Sequence, residues 1–325
     1  MKSAQKENDV LVVKDRDDEK LNGRKGAIVR VLGCGLCGSD IVKLSQGLVK
    51  DGTVLGHEIV GEIVEIDTDT AFKPGDVIVT SHHIPCGKCE YCKNGNVSMC
   101  RHFKETNIKP GGFSELVFVS DEHLQNVAYL KPENLTDVEA SFYEPLGCCV
   151  RAVKRAGLKQ NSTALVIGLG SIGILMAQAL KAFGMNVIGC DLIASRVEML
   201  KNLGIEAFNV TEMCDSIKAD GVFMTSGSDK ALQTALKYVR DGGKILVFSS
   251  TPLNSGYANN EIYYRELTVL GSYSPSPADL KTSLELLKSK QVKVSDLSTI
   301  YPLEKVQKAI NDTISNKIMK AYIKM

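Results

Sequence analysis

The sequence of 325 residues predicts an α/β protein with a β-rich amino-terminal domain followed by a doubly wound parallel sheet. Short β-branched runs separated by Gly, Pro and Asp turns dominate the first 146 residues. From about residue 163 to residue 273, apolar strand candidates alternate with helical stretches, which is typical of βαβ units. The length is sufficient for two domains, each with its own hydrophobic core.

The predicted strands are closely spaced in the first domain and separated by helical stretches in the second. In the first domain they span residues 10–13, 27–32, 59–66, 77–80 and 113–119. In the second domain they span residues 164–167, 186–190, 221–225, 244–248 and 267–270. The intervening stretches are long enough for the crossover helices that parallel strands require.

The predicted helices differ in how much of their surface is apolar. Residues 172–183 are apolar nearly all round, as expected of a helix packed tightly on a sheet. Residues 230–239 are more amphipathic, and Asp241-Gly242-Gly243 after them predicts a helix stop and a turn. The last fifty residues predict a helix over 278–289 and a closing strand near 321–323.

The composition is that of a globular protein that acts on small molecules. Hydrophobic residues make up 44% of the chain and charged residues 24%, which are ordinary values. The formal net charge of +1 predicts no electrostatic field that would gather nucleic acid or an anionic membrane. The start of the chain is polar, and no run approaches the roughly twenty apolar residues of a membrane helix. We therefore expect a cytoplasmic protein with no membrane or nucleic-acid partner.

A glycine motif lies between the first predicted strand of the second domain and the helix after it. It consists of Gly168, Leu169, Gly170, Ser171, Ile172 and Gly173. Gly168 would permit the tight turn, Gly170 the approach of a pyrophosphate, and Gly173 the close packing of helix on strand. The phosphates would bind at the helix amino terminus, where N–H groups are free. The alternative is a glycine-rich turn that only packs.

An acidic residue at the end of the next predicted strand indicates which dinucleotide binds. Asp191 follows Gly168 by 23 residues, and a carboxylate there binds the ribose hydroxyls of NAD and repels the 2′-phosphate of NADP. Arg196 could soften this preference, although a solvated charge at the start of a helix is the simpler interpretation. The sequence therefore predicts NAD.

Four cysteines within fifteen residues form the first metal-compatible set. Cys86, Cys89, Cys92 and Cys100 can enclose one tetrahedral zinc completely, which is the composition of a structural site. Disulfides are the alternative, but they conflict with the absence of a secretion signal. A nucleic-acid zinc ribbon is another alternative, but it conflicts with the neutral charge.

The second set is scattered over distant segments, which suits a zinc with an open position. Cys34 and Cys37 offer two thiols, of which such a site needs one. His57 and the adjacent Glu58 offer an imidazole and a carboxylate. Glu144, just before the second domain, offers another carboxylate. The residues alone do not choose between the two thiols or between the two carboxylates.

Six motifs in this order resemble those of the zinc-containing medium-chain dehydrogenase/reductase family, closest to its sorbitol and threonine dehydrogenase-like branch. They are CGLCGSD, GHE-x2-G, C-x2-C-x2-C-x7-C, GGF, EPLG and GLGSIG. The resemblance runs from about Gly33 to the carboxyl terminus. It implies a GroES-like catalytic domain over residues 1–146, completed by residues 281–325, and a Rossmann NAD-binding domain over residues 147–280.

The resemblance also implies roles for the scattered set. Cys37 and His57 would be ligands of the catalytic zinc. Glu144 stands where classical alcohol dehydrogenases have a cysteine, and Glu58 matches a glutamate that ligates the metal or lies close behind it. Which glutamate is the third ligand stays open. Relatives form dimers and tetramers, so a homo-oligomer is expected.

Residues next to the ligands would move the substrate proton and orient the imidazole. By the resemblance, Ser39 matches the hydroxyl that takes the proton and Asp40 the carboxylate that orients His57. Val42 stands where relatives often have a histidine that completes a proton relay to solvent. Proton release would then need water, a cofactor hydroxyl or another group.

Two interpretations concern the remaining cysteines and histidines. Small buried thiols are expected at Cys148, Cys149, Cys190 and Cys214. Loop or edge histidines rather than ligands are expected at His82, His83, His102 and His123, although the first two could line a substrate cleft.

These observations predict an NAD-dependent zinc enzyme that oxidises a secondary alcohol of a polyol or sugar derivative. A primary-alcohol or aldehyde oxidoreductase is the alternative within the family, and Glu144 in place of a cysteine argues against it. A catalytically silent relative that binds nucleotide and only the structural zinc is the alternative outside enzymes. Val42 gives that alternative slight support.

Overall fold

The computed structural model describes residues 1–249 and 258–325, which form two compact units. The first unit comprises Met1–Glu144, Ser276–Lys288 and Val294–Met325, and the second comprises Pro145–Pro275 and Ser289–Lys293. The boundary predicted from the sequence lies two residues later, at residue 146.

The amino-terminal part contains seven strands joined by short helices. The strands are β1 (Lys2–Glu7), β2 (Val10–Asp15), β3 (Gly26–Gly35), β4 (Glu58–Asp67), β5 (Val77–Val79), β6 (Leu116–Ser120) and β7 (Tyr129–Leu130). The helices are α1 (Gly38–Ser45), α2 (Glu90–Lys93), α3 (Arg101–Glu105), α4 (Asp121–Asn126), α5 (Asp137–Ala140) and α6 (Tyr143–Ala156).

The second unit alternates strands and helices. Its strands are β8 (Thr163–Ile167), β9 (Asn186–Asp191), β10 (Glu206–Asn209), β11 (Ala219–Met224), β12 (Val239–Val247) and β13 (Thr268–Gly271). Its helices are α7 (Ser171–Ala182), α8 (Ala194–Asn202), α9 (Asp229–Tyr238) and α10 (Asn259–Tyr264). The chain then returns to the first unit through α11 (Pro277–Lys288), β14 (Ser298–Pro302), α12 (Val306–Ile314) and β15 (Lys320–Lys324).

The first unit is built on a seven-stranded sheet in the order β14-β15-β3-β4-β5-β7, with β6 paired to β3. Strands β3 and β4 are antiparallel, and Gly35 at the end of β3 lies opposite Glu58 at the start of β4. The apolar faces of this sheet bury a core that includes Val29, Ile63 and Ile323. The carboxyl-terminal strand β15 therefore completes a sheet that the amino-terminal segment begins.

The second unit is a six-stranded sheet in the order β10-β9-β8-β11-β12-β13, in which every pair is parallel. The chain order reverses between β8 and β11, which is the position where doubly wound folds bind their ligands, beyond the carboxyl ends of the strands. The glycine motif directly follows β8, so it lies at this switch point.

The α/β fold and the parallel sheet predicted from the sequence are confirmed, with four of the described strands missed. Strands β1, β10 and β14 carry polar or charged residues and lack the apolar runs used for prediction, and β7 is only two residues long. The predicted turn at Asp241-Gly242-Gly243 is wrong, because these residues lie inside β12. Gly242 takes a φ of +67°, and the pairing of β12 with β11 shifts register there. The glycine pair therefore indicates an irregularity within a strand rather than a turn between two elements.

Replacing Ile323 with alanine should destabilise the protein by about 2–5 kcal/mol, because the side chain is fully buried in β15 and leaves a cavity in the core. Urea unfolding followed by circular dichroism measures the loss. Ile300→Ala on the neighbouring β14 is the matched control, since this side chain is exposed and its removal should change stability by less than about 0.5 kcal/mol. Equal losses in the two variants would contradict the burial of Ile323 and the exposure of Ile300.

Candidate active site and metal centres

The four clustered cysteines converge on one point. Their Sγ atoms all lie within 4.8 Å of one another. The Sγ atoms of Cys89 and Cys92 are 3.5 Å apart, well beyond the roughly 2.05 Å of a disulfide bond. Burial by itself would raise the pKa of the Cys100 thiol. Hydrogen bonds from the backbone N–H groups of Cys86 and Phe103 outweigh this effect and lower the pKa to about 6. Four convergent thiols with a stabilised thiolate fit a closed zinc site.

Strand pairing and a helix start bring the second set together. Cys37 is the N-cap of α1, directly after β3, and His57 directly precedes β4. Because Gly35 lies opposite Glu58 in the β3–β4 pair, the residues just beyond these strand ends are neighbours. Glu144 approaches from the first turn of α6.

The side chains form two overlapping groups that share His57. In one group the ligand atoms of Cys37, His57 and Glu58 lie within 4.8 Å of one another. In the other, those of His57, His82 and Glu144 do so. The residues predicted as zinc ligands are thus divided between the groups, with Glu58 beside the thiol and Glu144 beside a second imidazole. Cys37 is partly buried, and the other four are buried.

Asp40 holds the shared imidazole. Its Oδ1 lies 3.4 Å from His57 Nδ1, and its Oδ2 accepts a hydrogen bond from the Cys37 backbone N–H at 3.3 Å. Burial lowers the pKa of His57, but the charge of Asp40 and its hydrogen bond raise it more, so the net shift is upward. This contact directs Nδ1 toward Asp40 and leaves Nε2 for a metal.

A buried lysine that sequence reasoning missed lies beside Glu58. Lys320 Nζ, from β15, is 2.5 Å from Glu58 Oε2, and both side chains are buried. The same ammonium donates to the backbone carbonyl of Leu36 at 3.2 Å. Glu58 Oε1 has no hydrogen-bond partner among the described residues. The glutamate is therefore charge-paired on one oxygen and retains an oxygen able to bind a cation.

His82 is the second residue that sequence reasoning misjudged. Its ring lies 4.4 Å from the ring of His57 and 3.9 Å from that of His83, and it is 8% exposed. Burial and the neighbouring His57 and His83 lower its pKa well below the usual value. His82 therefore lies in a loop, as the sequence predicts, but it is a buried, neutral imidazole within a donor group, which the sequence does not predict. A histidine pair just before the cysteine cluster was the only signal.

The other histidines belong to neither donor group and have hydrogen-bond partners of their own. His83 Nδ1 donates to the carbonyl of Thr106 at 2.6 Å, and His123 Nε2 donates to that of His82 at 3.1 Å. His102 contacts Glu122 at 2.7 Å. The prediction of a loop or edge position is wrong for His102 and His123, which lie in α3 and α4.

The thiols outside the two sets differ in exposure. Cys34 is fully buried in the core, which leaves Cys37 as the thiol of the scattered set. Cys149 and Cys190 are also buried, and Cys148 is partly buried. The prediction of a buried thiol is wrong for Cys214, which is exposed after β10 and contacts Ser216 at 2.9 Å.

Ser39 lies beside the thiol of the scattered set. Its hydroxyl donates to Cys37 Sγ at 3.2 Å, and its backbone N–H donates to the same sulfur at 3.5 Å. Ser39 is exposed at the start of α1, and Val42 one turn later carries no group that could pass a proton on. The serine can therefore exchange a proton with water directly.

The glycine motif has the geometry of a dinucleotide loop. Gly168 takes a φ of +90°, and a Cβ on Gly173 would lie 1.9 Å from the Gly168 carbonyl oxygen, so both positions require glycine. A Cβ on Gly170 would meet nothing within 4 Å, which leaves space at the amino terminus of α7. Ser171 and Ile172 begin this helix. The loop can thus present free N–H groups to a pyrophosphate.

Asp191 is placed at the edge of this loop. Its Oδ2 accepts a hydrogen bond from Leu169 N at 2.6 Å and its Oδ1 accepts one from Ile193 N at 2.9 Å. Arg196 Nη1 lies 3.7 Å from Asp191 Oδ2. The carboxylate is thus fixed beside the loop, and Arg196 partly offsets its charge.

Comparisons with known proteins agree with this geometry. A family model described as "Alcohol dehydrogenase GroES-like domain" matches residues 23–129, and one described as "Zinc-binding dehydrogenase" matches residues 171–289. A sorbitol dehydrogenase from Halalkalibacterium halodurans is 31% identical over 326 residues, covering 94% of this chain and 93% of that protein. A probable D-xylulose reductase A from Aspergillus clavatus is 28% identical and covers 95% and 92%.

The chain belongs to the zinc-containing medium-chain dehydrogenase/reductase family. Within this dehydrogenase family it lies in the sorbitol dehydrogenase-like branch, and it is an oxidoreductase. The structure of L-idonate 5-dehydrogenase from Escherichia coli superposes with a TM-score of 0.88 at 21% identity, covering 100% of this chain and 98% of that one. This likeness confirms the GroES-like and Rossmann architecture predicted from the motifs.

Zinc and NAD are the cofactors of this dehydrogenase, and the residues present fit both. The cysteine cluster offers a closed thiolate site. The overlapping groups offer sulfur, nitrogen and oxygen donors, including buried atoms without hydrogen bonds at Glu58 and His82. Among the described helices, none has the length and apolar character that crossing a membrane requires.

Lys320→Met should destabilise this dehydrogenase by about 3–5 kcal/mol, because it leaves the buried Glu58 carboxylate without its positive partner. The free energy of unfolding in urea tests this. Lys324→Met at the exposed end of the same strand is the control and should change stability by less than about 0.5 kcal/mol. A loss below 1 kcal/mol for Lys320→Met would show that the ion pair is not required.

Proposed function

We propose that this dehydrogenase transfers a hydride from a secondary hydroxyl of a polyol or sugar derivative to NAD. The observation that carries the proposal is a pair of donor groups that share His57, one with Cys37 and Glu58 and one with His82 and Glu144, in a chain that also has a dinucleotide loop. The named activities of the sorbitol dehydrogenase and the D-xylulose reductase support the substrate class.

The scattered donors would hold the catalytic zinc. Cys37 and His57 would supply the sulfur and nitrogen ligands, and a glutamate, either Glu58 or Glu144, the oxygen. When bound, the zinc acts as a Lewis acid on the substrate oxygen, and NAD accepts the hydride. The four clustered cysteines would hold the second, structural zinc.

The chain's own groups then handle the proton and the orientation of the ligands. Asp40 fixes the tautomer of His57 through its Nδ1 contact at 3.4 Å. Ser39 accepts the hydroxyl proton of the substrate and, because it is exposed, releases it to water without the relay histidine that Val42 replaces. Loss of this proton and of one hydride converts the secondary alcohol to a ketone.

Asp191 and α7 would bind the cofactor. Free N–H groups at the start of α7 would receive the pyrophosphate, and Asp191 the ribose hydroxyls. A cytoplasmic location and a dimeric or tetrameric assembly stay predictions from the sequence.

Cys37→Ala should abolish turnover, because it removes the thiolate ligand without touching the nucleotide loop. Steady-state formation of NADH with a panel of polyols should fall by at least about 1,000-fold, which corresponds to about 4 kcal/mol of transition-state stabilisation. NADH binding, followed by fluorescence, should stay within about twofold of the unmodified protein. Cys34→Ala is a control that removes a neighbouring thiol outside the proposed ligand set. Full activity of Cys37→Ala would refute the mechanism.

Asp191→Asn should weaken the preference for NAD over NADP. The variant removes the negative charge but keeps an oxygen that can accept the Leu169 N–H. A phosphate about 4 Å from a carboxylate is repelled by about 1 to 4 kcal/mol, so the preference should fall at least about fivefold. The ratio of kcat/KM for the two cofactors measures this. An unchanged ratio would show that Asp191 does not select the cofactor.

A further inference from the structure

We propose that His82 is a ligand of the catalytic zinc in the substrate-free enzyme. The inference rests on the proposed function, because it assumes that a zinc is held at the scattered set. It adds a second imidazole to the single one expected from the sequence, and it assigns a role to a residue that the mechanism above does not use.

One nitrogen of the His82 ring is unsatisfied. His82 Nδ1 is buried and has no hydrogen-bond partner among the described residues. A buried polar atom without a partner destabilises the fold, so native structures rarely keep one without a compensating contact. The neighbouring His83 satisfies its Nδ1 with the Thr106 carbonyl at 2.6 Å. Of these two adjacent histidines, only His82 therefore has a ring nitrogen in need of a partner.

His82 also lies in the right position for a ligand. A ring nitrogen of His82 lies within 4.8 Å of ligand atoms of both His57 and Glu144. Two donors on one tetrahedral zinc, each about 2.0–2.2 Å from the metal, are separated by about 3.2–3.6 Å. A shift of about 1 Å or less per side chain would thus bring these three donors into one coordination sphere.

Glu58 has its own positive partner, because its Oε2 lies 2.5 Å from Lys320 Nζ. A zinc held by His57, His82 and Glu144 would leave this ion pair in place and could take Cys37, the neighbour of His57, as its fourth ligand. Zinc in catalytic sites expands to five ligands, so this shell would still admit a substrate oxygen.

The segment around His82 also holds the ring in place. Its backbone carbonyl accepts a hydrogen bond from His123 Nε2 at 3.1 Å. Its ring lies between those of His57 and His83, at 4.4 and 3.9 Å. A ligand that is fixed before the metal arrives loses little conformational freedom on binding.

X-ray absorption at the zinc edge of the unmodified, substrate-free protein tests the inference without any substitution. With both metal sites filled, His57 and His82 together would give an average of about one imidazole per zinc. His57 alone would give an average of about one half of an imidazole per zinc. A value near one half in protein that holds two zincs would overturn the proposal for His82 and leave the proposed function intact. Zinc content near one per chain would instead overturn the proposed function itself.

Zinc affinity of a variant provides the second readout. His82→Phe keeps a ring of similar shape and should weaken zinc binding at the catalytic site by more than about 100-fold in competition with a chelator. That exceeds the 10- to 100-fold loss typical of residues that only support a ligand. A smaller loss in His82→Phe would overturn the ligand assignment. NADH binding within about twofold of the unmodified protein confirms that the variant is folded.

His83→Asn is the matched control for the histidine pair. Its side-chain amide can still donate to the Thr106 carbonyl, so the local fold is retained. Zinc affinity in this variant should change by less than about threefold, because His83 belongs to neither donor group. A loss in His83→Asn equal to that in His82→Phe would show a general effect of the segment and overturn the specific role of His82.

Discussion

Three buried carboxylates around one imidazole impose the main constraint on the first unit of this dehydrogenase. Asp40, Glu58 and Glu144 are each less than 5% exposed, and an uncompensated buried charge costs several kcal/mol. Two of them have a partner from the fold, since Lys320 Nζ is paired with Glu58 and Nδ1 of His57 lies 3.4 Å from Asp40 Oδ1. A divalent ion held by the donor groups would add positive charge beside the Cys37 thiolate and Glu144.

The sheet makes this arrangement possible. Pairing of β3 with β4 places Cys37 and His57 at the same end of neighbouring strands, and β15 adds Lys320 from the carboxyl terminus on the other side of β3. The donors of the scattered set thus come from separate loops fixed by a rigid scaffold, as catalytic metals with an open position require. The closed site differs, because its four cysteines lie in one short segment with two short helices. Local sequence is enough to build that site.

This contrast explains what could be predicted from the sequence. The cysteine spacing and the glycine motif are local, and their geometry follows from backbone rules. The pairing of Glu58 with Lys320 joins β4 to the carboxyl-terminal strand β15, so no spacing in the chain indicates it. His82 carries no motif either, because its role depends on the packing of its ring against His57. Polar strands such as β14 were missed because sheet pairing, rather than an apolar pattern, stabilises them.

The central claim is that Cys37 and His57 share one zinc, separate from the zinc of the cysteine cluster. Anomalous diffraction from crystals of the zinc-loaded protein, recorded at the zinc absorption edge, tests it most directly. The account predicts two peaks per chain, one of them about 2.3 Å from Cys37 Sγ and about 2.0–2.1 Å from a nitrogen of His57. A single peak per chain, enclosed by Cys86, Cys89, Cys92 and Cys100, would contradict it.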